Sequence, residues 1–105
     1  MTNIVNEAGL SRSVTELLTL RGWMWHHQRP GQTSGGRWNR GTEGNSGFPD
    51  IVAVRHGRVV FIELKAQNGQ VSPEQTAWHN ALRIADVDAF IWRPSHWPAI
   101  ERELM

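Results

Sequence analysis

The chain has 105 residues, of which 39% are hydrophobic, with six tryptophans and no cysteine. This composition excludes a disordered tail, a disulfide scaffold and any thiolate metal site. Net charge is +1, too near balance to name a partner, and no apolar run approaches the length of a membrane span. One domain is expected from the length. Met1 to Leu10 lacks the basic-then-apolar layout of a signal peptide, and with no cysteine in the chain a reducing cytoplasm is the expected compartment.

The segment up to about Arg21 reads as a helix, with Leu10, Val14, Leu17 and Leu18 recurring on one stripe. Ser13-Val-Thr-Glu16 offers a capping box for a shorter helix starting there. Gly22 ends the helix, and Trp23 to His27 is expected to be extended and partly buried. From Gln28 to Gly47 the composition turns glycine-rich, decorated by Arg29, Arg37, Trp38 and Arg40. A loop of about 20 residues is unusual in so small a domain unless it has a task. These four residues are the candidate nucleic-acid contacts, the arginines for the backbone and Trp38 for base stacking. From Arg21 to Arg58 arginines outnumber the two acids, Glu43 and Asp50, so a polyanion is expected to lie along this zone.

Two β-branched runs follow, Asp50 to Arg55 and Arg58 to Lys65, joined by His56-Gly57 as a two-residue hairpin turn. Asn68-Gly69 marks a turn. Ser72-Pro73-Glu74-Gln75 is a strong helix start, and that helix is expected to reach about Ala85. Val87 to Trp92 reads as another strand and Pro98 to Met105 as a closing helix. The order implies an α/β fold, a small mixed β-sheet flanked by helices.

The hairpin register carries the chemical argument. A two-residue turn sets Arg55 opposite Arg58, Val54 opposite Val59, Val52 opposite Phe61 and Asp50 opposite Glu63. Opposed residues share a face, with β-carbons about 5 Å apart. Two carboxylates that close repel unless something neutralises them, and a hard divalent cation with oxygen ligands does so economically. Lys65 projects from the same face two residues on. It is the only lysine in the chain, all other positive charges being arginines. Asp50 and Glu63 are therefore the candidate ligands of Mg²⁺ or Mn²⁺, with the Leu64 carbonyl completing the set. Such an ion would activate a water against a phosphodiester while Lys65 orients the water or offsets transition-state charge.

A further acid could come from the first helix. Glu7 projects along the stripe of Leu10, Val14 and Leu18, whereas Glu16 lies opposite; a buried carboxylate needs a partner, which favours Glu7. Gln75 has two readings, as the third residue of a capping box and as a side chain able to reach a phosphate or bound water. His26 and His27 are adjacent on an extended segment and point apart, so they do not chelate together. Trp78, Trp92 and Trp97 read as packing residues.

At these residues the sequence resembles the VRR-NUC family, the virus-type replication-repair nucleases of the PD-(D/E)xK superfamily. The matching text is Gly47-Phe-Pro-Asp50, Phe61-Ile-Glu63-Leu-Lys65, Gly69 and Ser72-Pro-Glu-Gln75, with Glu7, Leu10, Val14, Leu18 and Gly22 fitting the first helix. Ser11 stands where the family often has glutamine. The resemblance implies a restriction-endonuclease-like PD-(D/E)xK core spanning residues 1–105 and an active site of Glu7, Asp50, Glu63, Lys65 and Gln75. It further implies a stand-alone domain of the phage and bacterial type, acting in the bacterial or phage-infected cell. The activity implied is that of a homodimeric endonuclease cutting branched DNA such as four-way (Holliday) junctions in DNA repair. The alternative is a non-cleaving nucleic-acid-binding module on the same scaffold.

Overall fold

The computed structural model describes residues 4–28 and 43–105. Helix α1 (Glu7–Leu20) leads into strand β1 (Met24–His27), followed by β2 (Ile51–Arg55) and β3 (Arg58–Leu64). Helix α2 (Pro73–Ile84), strand β4 (Asp88–Trp92), a 3-10 turn (Pro94–His96) and helix α3 (Trp97–Glu103) complete the order. The strands form one sheet in the order β1-β2-β3-β4. The first three are antiparallel and β4 is parallel to β3. Parallel neighbours need a crossover, and α2 supplies it.

Local chemistry explains most boundaries. Asn6 caps α1, its side chain accepting from Gly9 N–H at 2.8 Å; the Ser13 start is not used. Leu10, Val14, Leu17 and Leu18 form the buried stripe, and Gly22, at φ 79°, turns the chain out of the helix. The β2–β3 turn has His56 and Gly57 at φ 51° and 79°, the left-handed pair that matches strand twist in a two-residue hairpin. The register is the expected one, Arg55 facing Arg58, Val54 facing Val59, Val52 facing Phe61 and Ile51 facing Ile62. Ser72 caps α2 in a closed capping box with Gln75, and Pro73 occupies the first turn.

Alternation divides the sheet into two faces. Ile51, Ala53, Val60, Ile62 and Leu64 face the α1 stripe, Ile100 and Leu104, and together they make the main core. Val52, Phe61 and Glu63 point to the other face, where α2 lies. No described helix is long and apolar enough to cross a membrane.

Three arginines of the expected polyanion zone are structural. Arg21 donates to the Glu101 carbonyl, and Arg55 donates to the Arg21 and Met105 carbonyls. Arg58 pairs with Asp88 at 2.7 Å and with Glu103. The Arg55 guanidinium also sits 4.5 Å above the buried Trp23 ring. These contacts clasp the C-terminal segment to the sheet, so these cations are already committed. Arg29, Arg37, Trp38 and Arg40 lie outside the described residues.

Candidate metal centre

Asp50 and Glu63 stand at the open end of the β2–β3 hairpin, one step past the last ladder pair, Ile51 and Ile62. The preceding turn of chain is fixed. Gly47 adopts φ 93° because its α-carbon is pressed on the start of α2; a β-carbon there would lie 2.5 Å from the Glu74 carbonyl carbon. Pro49 is fully buried. Asp50 is then held from both sides. Its carbonyl accepts from Gln28 N–H at 2.8 Å, and its Oδ2 accepts from Leu64 N–H at 2.9 Å. The Leu64 main chain thus touches the site through its N–H.

Glu63 is 2% exposed. Its Oε2 accepts from Gln75 Nε2 at 2.9 Å and lies 3.9 Å from Lys65 Nζ. Its Oε1 is buried with no hydrogen-bond partner among the described residues. Burial, reinforced by the Asp50 charge, pushes the Glu63 carboxyl up to about 8, more than the Lys65 ammonium pulls it down. A buried carboxylate with one orphaned oxygen and a like-charged neighbour is poorly solvated. A cation between the two acids would relieve all three defects at once.

Gln75 fills its capping-box role, and its amide turns to Glu63. Its Oε1 accepts from Ser72 N–H at 3.0 Å to close the capping box, while its amide nitrogen donates to Glu63. The helix cap is what aims the amide. Lys65 is anchored by its own N–H to the Trp92 carbonyl at 3.0 Å. The turn just after it is braced by Arg93, which donates to the Ala66, Gln67 and Gly69 carbonyls.

Glu7 does not meet its expectation. It is exposed in the first turn of α1, at the N-terminal end of the stripe and one turn before its first buried residue, Leu10. Among the described residues, no three carboxylates or histidines gather in a metal-holding group. Glu16 is exposed too and borders a groove with Thr15, Thr19, Leu20 and Trp25. Glu7 is kept from Glu63 because the α1 stripe packs on the sheet surface opposite to Glu63.

Sequence reading passed over one buried group, His79, which is 1% exposed with neither ring nitrogen hydrogen-bonded among the described residues. Burial, helped by the Arg83 charge, holds its pKa below the usual histidine range and outweighs the pull of Asp50. The i, i+4 spacing from Gln75 is the signal that could have placed it on the sheet side of α2.

A mixed sheet with helices on both faces, carrying Asp50 and the Glu63-x-Lys65 pair at the end of a central hairpin, has the architecture of a PD-(D/E)xK nuclease core. The VRR-NUC domain model matches residues 11–95, and the chain belongs to that family of virus-type replication-repair nucleases. The match contains Asp50, Glu63, Lys65 and Gln75 and begins after Glu7. A search of curated proteins returns no significant match. Membership implies a phosphodiester hydrolase acting on DNA in a superfamily that generally uses divalent metals.

Proposed function

We propose that the protein is a Mg²⁺- or Mn²⁺-dependent endonuclease acting on branched DNA. The observation that carries this reading is the meeting of Asp50 and a buried, partly orphaned Glu63 beside Lys65. Asp50 Oδ1 and Glu63 Oε1 are the atoms that would hold the ion, and two carboxylates with water and phosphate oxygens are the usual protein share for Mg²⁺. When bound, the ion supplies charge neutralisation at the phosphate and a water of lowered pKa.

The chain's own groups do the rest. Leu64 N–H fixes the Asp50 carboxylate, and Gln75 holds Glu63 so that its other oxygen stays turned into the site. Lys65, at the outer range of an ion pair with Glu63, is free to place its ammonium on a phosphate oxygen as negative charge builds there. Glu7, being exposed, would serve only if substrate binding brought it in.

The homodimer is part of the same proposal. Helix α2 covers the site's sheet face near β3 and β4. On the same face, the register partners Met24 and Val54 are 79% and 44% exposed. A small nuclease gains a second active site and a wider grip by two-fold pairing. The test is a cleavage panel on duplex, flap and four-way DNA with Mg²⁺ or Mn²⁺, run beside a measurement of solution mass. Metal-dependent cutting of the branched substrates is expected. DNA binding without cutting by the intact chain would instead establish the non-cleaving module.

A further inference from the structure

One pocket adjoins the proposed metal centre without belonging to it. It is an open groove of about 570 Å³ between Asn45 and Ser46 on one side and Glu74, Ala77, Trp78 and Ala81 of α2 on the other. That volume suits a small organic group. The α2 residues lie in rows three and four apart, along one stripe of the helix. Trp78 is one turn from Gln75, about 4.5 Å along the axis, and Gln75 touches Glu63. The opposite wall continues through Gly47 to Asp50. Pocket and metal centre are therefore neighbours along α2 and along the 45–50 segment.

The chemistry of the walls selects what can enter. Trp78 is fixed in orientation: its indole N–H donates to the Asn45 carbonyl at 3.1 Å, and Phe48 packs edge-on at 5.0 Å with Phe61 behind it. With its one donor used, the indole has only ring surface left to offer. Ala77 and Ala81 are exposed and small, leaving room beside it. Among the described residues the one charged lining group is the Glu74 carboxylate, which repels phosphate but accepts from amino and imino N–H groups on base edges. Resting on the nuclease reading above, we infer that this pocket takes the unpaired base of a nucleotide next to the scissile phosphate, stacked against Trp78. The enzyme then selects substrates in which a base is already free of its partner, as at a branch point.

The test measures binding, so it does not depend on cleavage. Branched DNA carrying a single abasic nucleotide, moved stepwise through the branch, is titrated in Ca²⁺ with wild-type protein and with Ala77→Leu and Ala81→Leu, which fill the pocket from exposed helix positions. One abasic position is expected to weaken wild-type binding about tenfold, within the range for loss of one stacked base. In the filled variants intact DNA binds weaker by a similar factor, and the abasic penalty vanishes. A flat abasic profile in the wild type, or a penalty that survives in both variants, overturns the inference. Mg²⁺ cleavage of the same DNA separates the two claims. Cutting with a flat profile sinks the base pocket alone; a sharp profile with no cutting sinks the nuclease reading and upholds the pocket.

Discussion

The β2–β3 hairpin sets like charges face to face at both ends and treats them in opposite ways. At the turn, Arg55 and Arg58 are opposed, yet each guanidinium is satisfied by carbonyls, carboxylates and the Trp23 ring. At the open end, the carboxylates of Asp50 and Glu63 meet with one N–H each, a distant ammonium and an orphaned oxygen. The same element thus has one end finished by the fold and another that the fold leaves electrostatically incomplete. The finished end holds the molecule together. The incomplete end is where a cation and a phosphate have something to gain.

The sharpest way to break this comparison is to remove charge at each end in turn. Asp50→Ala and Lys65→Ala are expected to lower metal-dependent cleavage by roughly a thousandfold or more, as read on a junction substrate. Arg58→Ala is expected to leave the rate within about twofold. Asp50→Asn keeps an acceptor for Leu64 N–H while removing the repulsion that an ionised Glu63 meets. Without metal and above about pH 8 it should melt no lower than wild type, and a drop of several degrees there would show that the open end is not strained.

The pH dependence follows from Glu63. Its folded-state pKa of about 8 lies above the ordinary 4.5, so between those values the folded chain holds a proton that the unfolded chain releases. Stability of the metal-free protein should therefore fall as pH rises from about 4.5 to about 8. Cation binding must expel that proton, so its affinity should climb by up to about tenfold per pH unit below 8. Calorimetric titrations at several pH values check the slope, and a flat profile would contradict the assignment.

Two smaller effects separate positioning from clasping. Gly47→Ala puts a β-carbon against Glu74 at a left-handed φ, and should cost about 1–3 kcal/mol while also loosening Asp50 and slowing cleavage. Arg58→Ala, whose ion pairs are partly exposed, should cost about 1 kcal/mol in urea denaturation. Cleavage should fall in the first variant alone.

Much of the site was legible because its geometry is local. A two-residue turn fixes hairpin parity, and parity alone brings Asp50 to Glu63 and sends Lys65 to their side. The capping box at Ser72 and Gln75 was readable for the same reason. Glu7 was misplaced because helical periodicity gives a stripe but not the layer it packs on. The fates of Arg21, Arg55 and Arg58 were hidden because their acceptors are mostly backbone carbonyls up to 80 positions away. Trp78 read as packing; only the loop folded against α2 makes it a pocket wall.

By itself the sequence determined which side chains lie opposite one another in the hairpin and where α2 begins, since short-range sterics and hydrogen bonds fix both. Only the tertiary structure decided which of those groups lose water. Helix α2 closes over Glu63 and lifts its pKa, while the C-terminal segment supplies partners to the arginines at the other end. Desolvation depends on the packing of distant segments, and it is desolvation that turns a pair of opposed acids into a place for a cation.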